Sequence, residues 1–394
     1  MIMPLILFVT SITLAFILII KRFNIALALG VALLIYSTPL LGLDVIEISV
    51  RTFNRTLFET VFSLMLAMFV ADLYRSTYAA ESVVRSLESL SPRTAAISIP
   101  AIVGLLPMPA GAYVSATIIN PLYVKCRLSS DERTFLNYWF RHIWIVVWPL
   151  YQSVVLASAI LNTSFYAILL HNWPIFVAAI LGGGIASKPI LQKINSGCIE
   201  SRERNLKGLV HLWPFVVVIV TILLLKLPLP LVLFIIAILL ILVYRPSVNM
   251  IKNGLRYSLD PTIIALIVES MIFSRVAAET KLAYQLAEYL VPYADIAVFL
   301  IPFLMVIVTG FEFTFVTIAF PSLLPLLTGH RATLAFLGGY AGAMLSPAHA
   351  CFALSAKFFK SNLWDVYKKH LILATVISIL IAVAMLMVTS SAIF

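Results

Sequence analysis

Charge is scarce in this chain: Asp, Glu, Lys and Arg together make up 11% of its 394 residues, against 62% hydrophobic residues and a mean hydropathy of +1.06. Globular domains carry about 25% charged residues, so an ordinary water-soluble fold is excluded. Cysteine is equally sparse. Cys126, Cys198 and Cys351 are scattered and form no CxxC, which excludes a disulfide framework and a cysteine metal motif. The sequence holds no HExxH, no GxSxG and no Asp pair of the intramembrane-protease kind, so the residues an intramembrane enzyme needs are missing and no enzymatic activity is expected. Before the first apolar run, Ile2 to Ile20, there is no basic residue, and no small-residue cleavage site follows it; it reads as a retained span. The net charge of +10 comes from Lys and Arg in short loops between apolar runs, which is a membrane distribution and not a nucleic-acid one.

What the chain does have is long apolar runs, two of them broken in the middle. The run from 95 to 124 contains Pro107, Pro109 and Gly111. Prolines remove ladder donors and clash with the preceding turn, so this stretch stops a helix and frees backbone groups. At membrane depth such backbone is tolerated only where it is buried in protein or lines a polar cavity. About 200 residues later the run 294–327 is interrupted by Gly310 and Glu312. The flanks match in spacing as well: Pro100 with Pro302, Asn120-Pro121 with Phe320-Pro321, and WPLYQSVVLAS from Trp148 with SPAHACFALSA from Ser346. Paired interruptions in two halves point to a secondary-transporter binding site.

The fold class expected is an all-α polytopic membrane protein of about ten transmembrane helices and two re-entrant hairpins. Repeat 1 covers 1–186, with scaffold spans in 1–74, an interfacial helix at 75–91, a hairpin at 95–124, a helix broken at Trp148-Pro149 in 136–161, and a span at 165–186. A charged cytoplasmic connector, 187–208, leads to repeat 2 at 209–394. Its scaffold spans lie in 209–275, its interfacial helix at 277–290, its hairpin at 294–327, its helix broken at Ser346-Pro347 in 332–357, and its last span at 367–390. The interfacial segments carry apolar residues at helical spacing among charges, as at Ala80, Val84, Leu87 and Leu90. A capping-box pattern, Ser129 to Glu132, marks the start of the first broken helix.

Lys and Arg decide whether the interrupted runs cross the bilayer. If both cross, the basic residues divide 12 inside and 15 outside, which is no bias. If both turn back, 21 of the 27 lie inside, a strong orientation signal with both termini outside. Each half then has an odd number of crossings, so the two repeats are inverted. The first hairpin enters from the cytoplasm with its tip at Leu106 to Ala112, and the second enters from outside with its tip at Thr309 to Thr314. The breaks at Trp148-Pro149 and Ser346-Pro347 are expected to meet the tips near the midplane.

This order of elements over nearly the whole chain resembles the ion transporter superfamily, whose members include gluconate permeases, arsenite permeases and sodium/dicarboxylate symporters. Within it, the tip Pro107 to Ala112 and the stretch Gly342 to His349 look most like an uncharacterised archaeal and bacterial integral membrane family of unknown function. The resemblance implies a homodimer in the cell membrane that works by elevator-type alternating access, with hairpins and broken helices sliding against a scaffold of the first spans. The sodium/dicarboxylate members carry Ser-Asn-Thr at both tips. Here the tips read Pro-Met-Pro-Ala-Gly and Gly-Phe-Glu-Phe-Thr, so neither that substrate nor Na⁺ coupling carries across.

Broken helices expose N–H groups suited to an anion and carbonyls suited to a bare cation. The hydroxyls placed to help are Ser115, Thr117, Ser153, Thr314, Thr317 and Ser346, although such residues also bond back to their own helix. Glu312 is a candidate for the coupling cation or a proton, or else for solvating an outer mouth. His349 reads first as a hydrogen-bonded packing residue and second as a proton shuttle. Arg141 and His142 read as anchors, with Arg141 reaching the cytoplasmic surface, and only then as an anion attractor. Glu269 either pairs with a basic residue or lines the scaffold interface. The tryptophans, Trp148 excepted, fit interfacial belts. The expected function is a carrier for a small anionic solute, an organic or sugar acid, coupled to H⁺ or Na⁺ with no other cofactor. A channel or scramblase is the alternative, and saturation and counterflow separate the two.

Overall fold

The computed structural model describes residues 3–106, 111–194 and 205–391. It is helical throughout, with no strand among the described residues. The first series of helices is α1 (Met3–Ile20), α2 (Ile25–Leu41), α3 (Asp44–Thr52), α4 (Arg55–Ser76), α5 (Tyr78–Glu88), α6 (Pro92–Gly104), α7 (Gly111–Lys125), α8 (Ser130–Arg141), α9 (Gln152–Ile160) and α10 (Phe165–Lys193). The second follows in the same order: α11 (Lys207–Leu224), α12 (Leu229–Tyr244), α13 (Val248–Ser258), α14 (Pro261–Glu279), α15 (Leu282–Leu290), α16 (Ala294–Thr309), α17 (Phe315–Leu326), α18 (His330–Leu345), α19 (Ala350–Phe359) and α20 (Leu363–Val388).

Local chemistry sets many of these boundaries. Asn24, Ser91, Asp260 and Asn362 each accept a backbone N–H in the first turn of α2, α6, α14 and α20, and Pro92 and Pro261 occupy first helical positions where no donor is needed. The two series also end alike. Arg22 and Lys226 stop α1 and α11, and Asn162 and Lys360 stop α9 and α19, all with φ between 49° and 65°. A left-handed residue closes the last carbonyls of a helix, and a basic one complements its negative end.

Among the described residues, seven helical stretches are long and apolar enough to cross a membrane, and α2 and α12 are shorter apolar helices. Helix α12 exposes Leu231, Phe234, Ile235, Ile238 and Leu242, a surface that suits hydrocarbon and not water. The protein is therefore an all-α polytopic membrane protein. Helices α3 and α13 are elements that the sequence reading did not place. Their inner faces rest on Ile48 and Thr52 in one and Gly254 and Ser258 in the other, pairs that an apolar count does not register.

The chain packs as two units. Unit 1 holds Met1–Ser63, Gln152–His171 and Leu259–Ala348; unit 2 holds Leu64–Tyr151, Asn172–Ser258 and His349–Phe394. Each unit thus takes the first three helices and the ninth from one series, and the bulk of the fourth to eighth from the other. The chain changes unit at both breaks, between Tyr151 and Gln152 and between Ala348 and His349. Unit 1 is centred on Phe8, Tyr36 and Phe273, with Phe8 stacked on Phe273 at 6.1 Å and Tyr36 edge-on to both. In unit 2 the Tyr123 hydroxyl donates to the Ala96 carbonyl at 2.7 Å and ties α7 to α6, while Trp139 donates to Ala179 at 2.9 Å. Trp139 is fully buried and so leaves the interfacial belt that the sequence assigned to it.

Candidate functional site

In unit 2, α8 and α19 run antiparallel, and the polar contacts step along them. Thr134 Oγ1 meets Ser361 Oγ at 2.7 Å, Asn137 Nδ2 donates to Ser355 Oγ at 2.9 Å, and Arg141 Nη1 points at Cys351 Sγ at 3.5 Å. Asn137 is a satisfied node. Its Oδ1 accepts from Ser115 Oγ at 2.7 Å and its Nδ2 also reaches the Ala112 carbonyl at 3.0 Å, so one amide joins α7, α8 and α19. Ser115, a hydroxyl expected at the substrate, is engaged in that node.

At the end of this antiparallel pair where α8 stops and α19 begins sit Arg141 and His142, both buried, and His349, only 4% exposed. The expectation that Arg141 snorkels to the cytoplasmic surface is overturned: the side chain is 3% exposed, because α6, α7 and α19 close around α8. No carboxylate among the described residues pairs with it, and its Nε has no hydrogen-bond partner. A buried guanidinium without a counter-ion is an expensive arrangement.

The imidazoles beside it have defined roles. His142 Nδ1 lies 2.6 Å from the Tyr138 carbonyl, which only accepts, so Nδ1 carries the proton and Nε2 presents its lone pair to Arg141 Nη1 at 3.4 Å. His349 stands edge-on to His142 at 5.0 Å between ring centroids, and its Nδ1 is buried without a partner. The ligand atoms of His142, His349 and Cys351 lie within 4.8 Å of one another, a set that resembles a soft-metal site. It does not fit one, because the Arg141 cation already stands against two of the three atoms.

The first break is held by aromatic donors. Trp144, Trp148 and Tyr151 donate to the carbonyls of Ala101, Leu105 and Gly104 at 2.8–2.9 Å, so the last carbonyls of α6 are satisfied by the break itself. Pro149 is buried within that turn, and Gly111 is the buried first residue of α7. Pro107 and Pro109 lie outside the described residues. Thr117 is exposed and bonds to Tyr113 of its own helix, away from the site.

Unit 1 gathers the other candidates. Gly310 ends α16 at φ 73°, directly against the Ala348 carbonyl. Thr309 and Thr314 pair at 2.8 Å, Thr314 donates to the Phe311 carbonyl at 2.7 Å, and Ser346 donates to the Ile307 carbonyl at 2.9 Å. These hydroxyls build the tip. Thr317 bonds back to Thr314, and Ser153 is buried on α9. Glu312 is partly exposed at the tip and Pro347 is exposed; neither belongs to the cluster around Arg141. The sequence reading underrated Arg141 and missed Asn137 and Cys351. No signal in the sequence singled them out, because Ser130–Arg141 also carries Asp131, Glu132 and Arg133 and reads as a polar segment.

The base of α8 is clamped by charge. Lys193 Nζ meets Glu132 Oε1 at 2.5 Å, and Lys369 Nζ and His370 Nε2 both meet Asp131 Oδ2 at 3.2 Å. The Ser129 N–H donates to Glu132 at 2.9 Å, so the capping pattern forms. Burial would raise both carboxyls, but hydrogen bonds outweigh it. Those from Ser129, Lys369, its own N–H and His370 hold Asp131 below the usual carboxylate range, and those from Lys193 and Ser129 do the same for Glu132. A carboxyl lowered by folding contributes stability above its unfolded pKa and loses it as pH falls through its native one. Melting of the solubilised protein should therefore weaken between roughly pH 5 and pH 3. Glu132→Gln should melt lower than the parent at pH 7 and lose less on acidification.

The fold and site define a polytopic membrane protein with a buried cation, lacking a carboxylate partner among the described residues, where its helices break. A family model described as "Protein of unknown function (DUF401)" matches residues 3–388, so the chain belongs to that family. No curated protein matches it.

Proposed function

We propose that the protein is a secondary active transporter that carries a small anion of the organic- or sugar-acid class across the cell membrane, with H⁺ or Na⁺ as coupling ion. The observation that carries this reading is Arg141: a buried guanidinium beside the first break, its Nε without a hydrogen-bond partner, next to two imidazoles and with no carboxylate paired to it among the described residues. Charged groups inside membranes pair with each other or mark substrate pathways, and a planar fork of donors matches a carboxylate. A bound anion would supply the missing counter-charge. The two matching series of helices, with breaks at corresponding places, support the ten-span inverted repeat, the two re-entrant hairpins and the likeness to the ion transporter superfamily. Elevator movement, a homodimer and termini on the outer face belong to the same reading.

Two measurements test it. Single cysteines at Lys125 and Arg331, in a chain whose own cysteines are replaced, should be protected and labelled respectively on sealed cells. Labelling of position 125 from outside would make the first interrupted run a crossing and remove the inverted repeat. In detergent, a panel of acetate, succinate, gluconate and phosphate at constant ionic strength should contain a member that raises the melting midpoint saturably, since a ligand at 100 times its Kd stabilises by about 2.7 kcal/mol. Equal responses of the parent and Arg141→Gln would overturn the site.

A further inference from the structure

A cavity within unit 1 holds another ionisable group. Glu269 on α14 opens into a pocket whose other polar lining is Ser11 from α1, Tyr36 from α2, Ser270 from α14 and Thr317 from α17. No basic residue lines it. Glu269 Oε2 is sealed from solvent and has no hydrogen-bond partner. Its position is eight residues into a nineteen-residue apolar helix, so the end of the helix does not bring the carboxyl to a membrane surface.

We infer that Glu269 is a proton-binding site, taking up one H⁺ on Oε2 and releasing it as the protein works. The hydrogens around it are committed elsewhere: Ser11 donates to the Phe8 carbonyl at 2.9 Å, Tyr36 shares a hydrogen bond with Thr280 at 2.6 Å, and Ser270 faces the Thr317 carbonyl at 3.5 Å. What the cavity offers the carboxyl is acceptor lone pairs. A carboxylate there finds no donor, whereas a carboxylic acid can donate to them. Proton uptake forms one O–H bond and breaks none within the protein.

The other charges near α14 do not enter the cavity. Helix α3 carries Asp44, Glu47 and Arg51, α15 carries Glu288, α9 carries none, and Arg275 and Glu279 of α14 itself lie outside the lining; the titratable groups that line it are Glu269 and Tyr36. The neighbouring Ser270 touches the carbonyl of Thr317 in the second limb of the hairpin formed by α16 and α17, so the charge on Glu269 sits beside the contact that holds that limb. Its purpose rests on the transporter reading; its chemistry does not.

Infrared difference spectra between acid and alkaline pH, on the full chain in lipid nanodiscs, test it directly. The wild type should show a carboxylic-acid carbonyl band that is lost on raising the pH and is missing from the isosteric Glu269→Gln. Gly30→Ala should shift the band, because a Cβ at Gly30 would stand 2.8 Å from Glu269 Oε1. The same band in Glu269→Gln, or a wild type without one, would overturn the inference, as would a band unaffected by pH but removed by Na⁺. If no anion stabilises the protein yet the band behaves as expected, the transport reading fails and the proton site stands. If anions bind and the band is absent, the reverse holds.

Discussion

Replacing Arg141 by Gln is expected to weaken anion binding about a hundredfold or more, while the empty protein melts at the same temperature or a higher one. Truncating one partner of a buried charge pair costs about 3–5 kcal/mol, and each 1.4 kcal/mol is tenfold in affinity. The opposite sign on stability follows from how the fold holds the side chain: it buries a cation whose Nε has no hydrogen-bond partner and whose Nη1 makes long contacts, 3.4 and 3.5 Å, to His142 and Cys351. Removing that charge relieves a desolvation cost. Arg141→Lys should keep the charge, lose the forked geometry and bind between the two. A merely structural arginine would give the other pattern, with Arg141→Gln melting several degrees lower and anion response intact. Binding by thermal shift and melting of the ligand-free variants separate the two outcomes.

Gly310→Ala should disable transport and destabilise the protein by about 1–3 kcal/mol. Two costs combine there. Gly310 holds φ 73° at the end of α16, a conformation that L residues adopt reluctantly, and an added Cβ would run into the carbonyl of Ala348. The tip would have to move away from the second break, taking with it the hydrogen bond from Ser346 to Ile307. Ala348→Gly should not rescue the variant, because the obstructing atoms include the backbone carbonyl. Full rescue would show that side-chain crowding alone was at fault, and unchanged transport by Gly310→Ala would take the second tip out of the mechanism. Urea melts and uptake assays on the single and double variants read both quantities.

Much of the fold was legible because hydrophobicity and helix breakers are written locally. Long apolar runs, the short helices at Tyr78–Glu88 and Leu282–Leu290 and the Ser129–Glu132 cap all depend on neighbours within a few residues, and each has its counterpart in the helices. Helices α3 and α13 escaped because glycine, serine and threonine form much of their buried faces. The site was less legible, for a different reason. Ser115 and Thr117 read alike in sequence, yet one closes a buried network through Asn137 and the other faces outward. Arg141 read as an anchor because a basic residue near the start of an apolar run ordinarily reaches water. Its burial depends on α6, α7 and α19 packing over it, which no spacing within α8 encodes. Thr314 and Ser346 were chosen as hydroxyls near a break, and their hydrogens are taken by the tip itself.

The most direct test is counterflow in proteoliposomes preloaded with unlabelled gluconate, succinate or acetate and given the labelled form outside. At least one of these acids should exchange with saturable kinetics in the wild type, and Arg141→Gln should abolish the exchange. Flux that neither saturates nor exchanges would make the protein a pore, and saturable exchange that survives Arg141→Gln unchanged would contradict the central role given to that buried cation.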